Sequence, residues 1–547
     1  MGLLHFFTRL FRRVRGLKPP AAVQRFMKHN RRVFSRPRID ASHAPEILIE
    51  LNLTRSAHVS YSYLANTLAD LHGAKVVAYS PMPIKGLKQK LDFYINRFAG
   101  KEPFGTYQSF GAAGFFAIEP SKEQLERAKS IYESVFPALK TKWDIEALAI
   151  DGVRVGDLIY DSYLMEYKKP TIDLASPEFQ GFLLESLALF AFWDDYLAMH
   201  DVRAINVSHC VYNLAMPLRL AVKRGIPVYQ ATVTHVYRLT ERNLFAYNDF
   251  FYFREQFAAL PPTTREAGIA DAKSRIERRF AGEVGVDMSY STKSAYGEAR
   301  HQRLLRDTGR KKVLIATHCF FDSPHSYGDN VFPDFYEWLD FLGKMTEATD
   351  YDWYIKTHPD YLPGTKEVID AFMAKYPQLT LLPSDASHLQ LISEGVSLAL
   401  TTYGTIAFEY AALGIPVANA SQVNPHIAYD FNLHAKNVDD YERLIKDASH
   451  HAFEIDSQQV YEYYFMRHIF NTENILFPDY DKAVEDLGGY YGQFEPKVFD
   501  RWQQDWSPAL HESINRALNR FIASGDFRMD YSHFEPKPAL EMKDAQP

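Results

Sequence analysis

A turn rich in hydroxyl groups contains some of the side chains best suited to chemistry. Thr401, Thr402, Gly404 and Thr405 lie between an apolar strand and a helix that we expect from about Thr405 to Leu413. Backbone N–H groups in the first turn of a helix have no internal partner and carry partial positive charge. The threonine hydroxyls add donors beside those amides. These residue types in this order predict a site for an anion such as a phosphate.

A second stretch, residues 353–359, carries a cationic side chain and an imidazole. It is predicted to be a strand whose C-terminal end delivers Lys356 and His358, followed by Pro359. In an open α/β sheet the ligands bind in a crevice outside the carboxyl ends of the strands. We therefore expect Lys356, His358 and the threonine turn to share one crevice and to hold a nucleotide phosphate. The alternatives are that Lys356 is only a strand-end charge near the cleft and that His358 is a loop histidine that caps a helix.

The elements that would position these residues alternate between strands and helices. Strict alternation from about Lys311 onward predicts a doubly wound domain, and a β-α-β start over residues 46–79 predicts another parallel sheet. The expected fold class is therefore α/β, with two Rossmann-like doubly wound domains. We expect domain limits of 39–300 and 310–470, then a helical extension and a disordered tail over 471–547.

Composition and cysteine usage are those of an ordinary globular protein. The 547 residues are 46% hydrophobic and 24% charged, which suits roughly two or three domains with full cores. The two cysteines, Cys210 and Cys319, are far apart and in no metal-ligand spacing, which indicates a reducing compartment. We find no secretory signal and no run long enough to span a bilayer.

The charge is unevenly distributed along the chain. The net charge is −7, but residues 1–39 contain eleven Arg and Lys and no Asp or Glu, so the remainder carries −18 (−7 minus 11). Apolar residues at helical spacing in the first turns predict a basic amphipathic helix, and we expect residues 1–38 to associate with an anionic membrane. The alternatives are a disordered basic tail and a helix docked on an acidic face of the same protein. Nucleic acid is disfavoured because the body is acidic.

Two Rossmann-like domains with phosphate-binding groups in the second resemble a GT-B glycosyltransferase, in which the domains face a cleft. More narrowly, the chain is similar to bacterial surface-polysaccharide transferases: capsule biosynthesis enzymes and the 3-deoxy-octulosonic acid (Kdo) and sialic acid transferases. Lys356-Thr-His-Pro359 matches the His-Pro motif of that group, and Thr401-Thr-Tyr-Gly-Thr405 matches its Ser/Thr motif. Residues 155–163 and 318–325 also look like segments of capsule proteins. The resemblance covers residues 45–450 in pieces.

The resemblance implies that His358 and the threonine turn bind the donor phosphate, with the nucleoside in the second domain. An inverting transfer also needs a base for the acceptor hydroxyl and cationic or N–H groups for the departing phosphate. Asp157 is the first candidate base, since a strand-end carboxylate in the first domain would face the cleft, and Asp161 is the second. The alternative for either carboxylate is helix capping or pairing with Arg154. The family's acidic base motif has no clean match.

Five further side chains are candidates for binding. We expect His318, Asp322 and His325 to contact the acceptor or the donor sugar; the alternative for Asp322 and its neighbours is a simple turn. His209 follows a strand and is a substrate-binding candidate, or else a buried hydrogen-bonded histidine. Glu409, one turn inside the helix after the threonine turn, could accept ribose hydroxyls, or else be a surface acid.

These features together predict a metal-independent inverting glycosyltransferase. It would move Kdo or another nonulosonic acid from a CMP-linked donor to capsule, lipopolysaccharide or a lipid-linked precursor. No cofactor is expected besides the nucleotide-sugar substrate, and no Asp-x-Asp or His cluster indicates a metal. The expected partners are the donor, a glycan or glycolipid acceptor and the inner leaflet, on the cytoplasmic side. The alternatives are a UDP-sugar transferase, a nucleotide-sugar 2-epimerase and a non-catalytic subunit of a polysaccharide assembly complex.

Overall fold

The computed structural model describes residues 19–34, 44–288, 293–357, 364–447, 453–472 and 474–535. The chain forms two compact units. Unit 1 contains the described residues of 1–136, 183–246 and 473–547, and unit 2 contains those of 137–182 and 247–472. The chain therefore passes between the units more than once.

Unit 1 is built on one six-stranded sheet. Its strands are β1 (Glu46–Glu50), β2 (Lys75–Tyr79), β3 (Ala112–Phe116), β6 (Val202–Val207), β7 (Val228–Ala231) and β8 (Val236–Leu239). Their order is β3-β2-β1-β6-β7-β8, parallel except for β8, which pairs antiparallel with β7. The apolar run Ile47-Leu-Ile49 is fully buried, as expected for a central parallel strand covered on both faces.

The helices of unit 1 come from three separate parts of the chain. They are α1 (Ala21–Val33), α2 (Ala57–His72), α3 (Gly86–Phe98), α4 (Phe104–Ser109), α5 (Lys122–Val135), most of α8 (Pro177–Met199), α9 (Met216–Lys223), α18 (Tyr480–Asp486), α19 (Val498–Asp505) and α20 (Pro508–Ser524). The predicted helical extension after residue 470 is thus helical, and α18 to α20 contribute to the core of unit 1. The tail that was predicted to be disordered, past Lys537, lies outside the described residues.

Helix α1 is part of the core of unit 1. Phe26 is fully buried, stacks on Phe499 with ring centroids 4.1 Å apart, and meets the edge of Trp502 at 5.6 Å. The prediction that all of residues 1–38 associate with a membrane is wrong for this helix, because aromatic side chains of α19 already cover its apolar face. Residues 1–18 lie outside the described part of the chain.

Unit 2 is built on a second six-stranded sheet, which is parallel throughout. Its strands are β9 (Lys312–Ala316), β10 (Asp352–Lys356), β11 (Thr380–Leu381), β12 (Val396–Thr401), β13 (Val417–Asn419) and β14 (Leu433–His434). Their order is β11-β10-β9-β12-β13-β14. A short antiparallel hairpin, β4 (Ala149–Ile150) and β5 (Val153–Arg154), also belongs to this unit.

The helices of unit 2 flank this sheet and the hairpin. They are α6 (Lys142–Glu146), α7 (Gly156–Tyr167), α10 (Phe253–Ala259), α11 (Pro262–Phe280), α12 (Phe335–Ala348), α13 (Thr365–Lys375), α14 (His388–Ser393), α15 (Ile406–Ala412), α16 (Val438–Asp447) and α17 (Ser457–Phe465). Among the helices that the structure describes in either unit, none is long and apolar enough to cross a membrane.

The unit boundaries differ from the predicted domain limits. Residues 137–182 and 247–300, predicted to belong to the first domain, lie in unit 2. The close packing of α11 on α17 shows why: a Cβ at Gly268 would come within 2.6 Å of the Phe465 ring. Apolar residues of both helices share one core, so these segments follow their packing partners rather than their order in the sequence.

Each sheet has a point where the strand order changes direction. In unit 1 the chain builds outward from β1 to β3 on one side and from β6 to β8 on the other, so the switch point lies between β1 and β6. In unit 2 the equivalent point lies between β9 and β12. The predicted α/β class with two Rossmann-like doubly wound sheets is confirmed, and such sheets bind ligands outside the carboxyl ends of the strands at the switch point.

Candidate functional site

A pocket of about 420 Å³ lies in unit 2 at the carboxyl edge of its sheet. The ends of three strands contribute to its wall: Thr317 and His318 after β9, Lys356 at the end of β10, and Thr401 at the end of β12. Its volume falls within the range of roughly 300–1,000 Å³ that small-molecule sites occupy. The switch point of unit 2 is therefore a cavity of ligand size.

Lys356 places a buried cation in the pocket wall. The residue is 3% exposed, and no described residue forms a hydrogen bond or ion pair with its ammonium group. Burial lowers the pKa of Lys356 to about 8, although the carboxylates of Glu409 and Asp385 act in the opposite direction. A buried charge is costly without a counter-charge, so this position favours an anionic ligand.

The threonine turn is held by an imidazole. Thr401 Oγ1 accepts a hydrogen bond from the Gly404 N–H at 3.1 Å and lies 3.0 Å from Nε2 of His318. The Thr402 N–H donates to the same nitrogen at 3.3 Å, which assigns Nε2 as an acceptor and the proton to Nδ1. His318 also stacks on Phe335, with ring centroids 4.7 Å apart. Its described contacts therefore orient the turn.

Gly404 is required by the tightness of this turn. A Cβ at that position would come within 2.9 Å of Thr401 Oγ1, which is already bonded. Thr405 follows and lines the pocket with Gly404, and helix α15 begins at Ile406. This helix has only seven residues, so its dipole is small, and we base the argument for an anion on Lys356.

Glu409 forms the polar end of the pocket with two residues from the α11 region. Its carboxylate accepts a hydrogen bond from the Tyr296 hydroxyl at 2.9 Å and forms an ion pair with Arg279. Glu409 is 4% exposed, so the alternative that it is a surface acid is wrong. A carboxylate has about four acceptor positions, so ribose hydroxyls could donate to it alongside both protein donors.

Of the other predicted binding residues, some line this pocket and others do not. Asp322 lines the same pocket as His318, whereas His325 does not. His209 lies in unit 1, after β6, and its side chain is exposed, so the alternative of a buried histidine is wrong. His358 and Pro359 fall outside the described residues; they directly follow Thr357, which lines the pocket.

The two candidate bases are not strand-end carboxylates of the first domain. Asp157 lies in the first turn of α7 and Asp161 one turn later, and both belong to unit 2. Helix α7 starts where Gly156 packs on the backbone of α6: a Cβ there would meet the Ile145 carbonyl oxygen at 1.9 Å. Asp157 is 3% exposed and lies 4.0 Å from Nε of Arg154, the pairing foreseen as its alternative.

Asp161 belongs to a buried ion pair outside the pocket. Its Oδ1 lies 2.6 Å from Nδ1 of His325, and its Oδ2 accepts hydrogen bonds from Ser323 and from the His325 N–H. Glu146 lies 3.6 Å from Nε2 of the same imidazole. Burial opposes the charged imidazolium, but Asp161 more than offsets it and raises the pKa of His325 well above its ordinary value. Asp161 is therefore the counter-charge of a buried imidazolium.

Sequence reasoning missed Arg279 and Tyr296. Arg279 lies near the end of α11, which was predicted to belong to the first domain. Tyr296 also falls within the predicted first domain but lies in unit 2. In the sequence they are only an arginine and a tyrosine among polar residues, a composition that is common on protein surfaces. Within the described ranges, no group of three or more His, Cys, Asp or Glu side chains is arranged to hold a metal ion.

The fold and the pocket define a class of protein. Two Rossmann-like doubly wound units in one chain are the architecture of the GT-B fold class, and the pocket of unit 2 lies at the carboxyl edge of its sheet with Lys356 in its wall. No family model matches the sequence, and no curated protein matches it.

Solved structures that resemble this chain include two UDP-GlcNAc 2-epimerases and a glycosyltransferase. A UDP-GlcNAc 2-epimerase from Neisseria meningitidis bound to UDP-GlcNAc has a TM-score of 0.22 at 10% identity, over 77% of this chain and 97% of the other. A glycosyltransferase from Rickettsia africae has a TM-score of 0.25 at 8% identity, over 78% of this chain and 94% of the other. A UDP-GlcNAc 2-epimerase from Methanocaldococcus jannaschii in complex with UDP-GlcNAc and UDP has a TM-score of 0.24 at 8% identity, over 76% of this chain and 97% of the other. These scores are too low to support an argument about function.

Proposed function

We propose that the pocket of unit 2 binds the phosphate of a nucleotide sugar and that the protein is an inverting glycosyltransferase. The observation that carries this proposal is Lys356, a cation buried at the end of β10, next to the switch point, with no direct partner among the described residues. A nucleotide phosphate would add a counter-charge in direct contact, which Glu409 and Asp385 do not provide. The sequence motifs that resemble surface-polysaccharide transferases include the same residue.

The pocket offers a role for each part of a nucleotide sugar. The ammonium of Lys356 and the Thr405 hydroxyl would hold the phosphate. Glu409, oriented by Arg279 and Tyr296, would accept ribose hydroxyls. When the anomeric carbon–phosphate bond breaks, negative charge grows on the departing oxygen, and a desolvated ammonium group stabilises that charge far better than water does.

Calorimetric titration of CMP, UDP, CDP and GDP tests this proposal. We expect one nucleotide to bind the wild type and Lys356→Met to weaken its binding by roughly 10- to 150-fold, since hydrogen bonds to charged groups contribute about 1.5–3 kcal/mol. Lys312→Met is the matched control: Lys312 is also buried, but at the opposite end of the same sheet, opposite Asp352. Absence of binding by every nucleotide would refute the proposal.

The finer proposal follows the resemblance of the sequence. We take the donor to be CMP-activated, with Kdo or another nonulosonic acid, and the acceptor to be a capsule or lipopolysaccharide glycan or its lipid-linked precursor. A preference for UDP would redirect the donor to UDP-linked sugars. Product analysis with the donor alone then separates a transferase from a nucleotide-sugar 2-epimerase, because only the epimerase converts its donor without an acceptor. Nucleotide binding without turnover would favour a non-catalytic assembly subunit.

The location at the cytoplasmic face of the inner membrane is also a proposal. It rests on the basic and apolar spacing of residues 1–18, since α1 is part of the core of unit 1. Sedimentation with vesicles containing anionic lipid compares the full chain with a chain lacking residues 1–18. Equal binding by both would refute the proposed membrane segment without affecting the proposed catalytic function.

A further inference from the structure

Helix α1 carries a basic pocket beside its buried face. The pocket has a volume of about 250 Å³ and lies within unit 1, because both of the helices that line it belong to that unit. One wall residue is Gln503 of α19. The others lie on α1 at i, i+3, i+4 and i+7 spacing and therefore share one face of the helix: Arg25, Lys28, His29 and Arg32.

Two cations of the basic pocket have no described counter-charge. Arg25 is neutralised by Asp500 of α19, to whose two carboxylate oxygens it donates at 2.8 and 2.7 Å. Among the described residues, no carboxylate forms an ion pair with Lys28 or Arg32. Residues 1–39 contain no Asp or Glu, so neither α1 nor the sequence directly before it can supply one.

The pocket also contains a buried imidazole. His29 is 7% exposed, and its ring packs at right angles against Trp502 and Trp506, with centroids 5.2 and 4.6 Å apart. The Arg32 guanidinium lies 5.7 Å from the centroid of the Trp506 ring. Nε2 of His29 and Nε2 of Gln503 are both buried and have no hydrogen-bond partner. Such atoms are normally satisfied by ordered water or by a ligand.

The electrostatic surroundings of His29 favour an anion. Burial lowers the pKa of His29 to about 4, and the charges of Arg32 on its own helix and His511 on α20 act in the same direction. An anion in the pocket would stabilise the imidazolium form and would neutralise Lys28 and Arg32 at the same time.

We propose that the basic pocket binds a phosphate group, carried by a lipid headgroup or by a soluble phosphate compound. Phosphate oxygens accept hydrogen bonds from an ammonium, a guanidinium and an amide N–H, which are the donors that Lys28, Arg32 and Gln503 provide. A phosphate monoester carries a charge of about −1.5 to −2 at pH 7, which matches the two cations without a counter-charge. The pocket is smaller than the roughly 300 Å³ at which small-molecule sites begin, so it suits a single phosphate group better than a whole nucleotide. This inference does not depend on the proposed function.

NMR titration of the histidine rings with inorganic phosphate measures binding at this pocket directly. The ring signal that disappears in His29→Gln identifies His29, and chloride keeps the ionic strength constant. Bound phosphate should raise the pKa of His29 from about 4 into the range of roughly 5–7, because an opposite charge nearby shifts a pKa by about 1–3.

Three substitutions on α1 separate a site from general attraction to a basic helix. Lys28→Gln and Arg32→Gln should each weaken phosphate binding by roughly tenfold, the lower end for hydrogen bonds to charged groups, because both side chains are exposed. Arg31→Gln is the matched control: Arg31 is exposed on the same helix but does not line the pocket, and its loss should change the affinity by less than twofold. Equilibrium dialysis of phosphate against the Lys356→Met protein gives these affinities without the NMR assignment.

Vesicle sedimentation distinguishes the two sources of the phosphate. Phosphatidylcholine vesicles with and without phosphatidic acid are mixed with the full chain. Binding to phosphatidic acid that is lost in Arg32→Gln but kept in Arg31→Gln would assign the phosphate to a lipid headgroup. A response of His29 to inorganic phosphate, without sedimentation that depends on Arg32, would assign it to a soluble compound.

Three results would overturn the inference. They are an unchanged pKa of His29 in phosphate, equal weakening by Arg31→Gln and Arg32→Gln, and loss of the His29 response in Lys356→Met, which would place the phosphate in the pocket of unit 2 instead. If nucleotide binds and only these tests fail, the proposed function stands. If no nucleotide binds but His29 responds as expected, the proposed function fails and the basic pocket stands.

Discussion

The buried ammonium of Lys356 makes a quantitative prediction about stability. Its pKa falls from 10.5 to about 8 in the folded protein, a difference of roughly 2.5 units. At 1.36 kcal/mol per unit, keeping this group protonated costs the folded state about 3 kcal/mol. The folded protein binds the proton more weakly than the unfolded chain does. The cost is therefore complete below pH 8 and fades as the pH rises from about 8 to 10.5.

Lys356→Met removes the charge and keeps most of the side-chain volume. At pH 7 we expect the free energy of unfolding to rise by up to about 3 kcal/mol, and at pH 10 we expect most of this gain to disappear. Urea-induced unfolding at both pH values, followed by fluorescence of the buried Trp338 and Trp353 of unit 2, measures the difference. Lys312→Met serves again as the control for removal of a buried lysine from this sheet.

Nucleotide binding should reverse the shift in the pKa of Lys356. A phosphate beside the ammonium group favours its charged form, so binding at pH 8 should take up about half a proton per site. Titrations in two buffers that differ in ionisation enthalpy measure this uptake. Above pH 8 the affinity should fall by up to tenfold per pH unit. Equal stability of Lys356→Met and wild type at pH 7, together with equal affinity, would refute the reasoning about this site.

Three further substitutions test the packing inside each unit. Phe26→Ala should destabilise unit 1 by about 3–5 kcal/mol, measured by thermal unfolding; an unchanged melting temperature would contradict the burial of α1. Gly156→Ala should lower stability by at least roughly 1–3 kcal/mol, because its Cβ would overlap the Ile145 carbonyl; a neutral result would contradict that close approach. His325→Asn should cost about 3–5 kcal/mol at pH 6, since Asp161 loses its counter-charge. Because the pKa of His325 is raised, this loss should shrink as the pH rises through that pKa, and a loss independent of pH would argue against the ion pair.

Local sequence patterns were sufficient for the elements and for part of the site. The apolar strands and the helices follow from periodicity within short windows, and the helix expected from about Thr405 to Leu413 is observed at Ile406–Ala412. Lys356 and Thr401 could be predicted to meet because both end parallel strands, and the carboxyl ends of parallel strands lie at one edge of a sheet. No knowledge of distant packing was needed for that step.

The assignment of segments to units could not be obtained in the same way. Helix α11 was placed with the residues that precede it, but its small and apolar residues fit the aromatic face of α17. Helix α1 has a basic amphipathic pattern that suits a lipid surface as well as a protein surface. Only the presence of Phe499 and Trp502, more than 450 residues away, decides between them. An amphipathic pattern specifies that a face is buried and leaves open what covers it.

For the charged residues, too, the sequence determined one part and the tertiary structure another. The sequence by itself determined the chemical types and the strand ends: a lysine, a threonine turn and a histidine at carboxyl edges of two doubly wound sheets. The tertiary structure decided their electrostatic surroundings. It pairs Arg279 with Glu409, which lies 130 residues further along the chain, and Asp161 with His325. It also connects Glu50 through Ser208 to His209 by hydrogen bonds. Burial and charge partners set the pKa of a side chain, and both depend on contacts between residues that are distant in the chain.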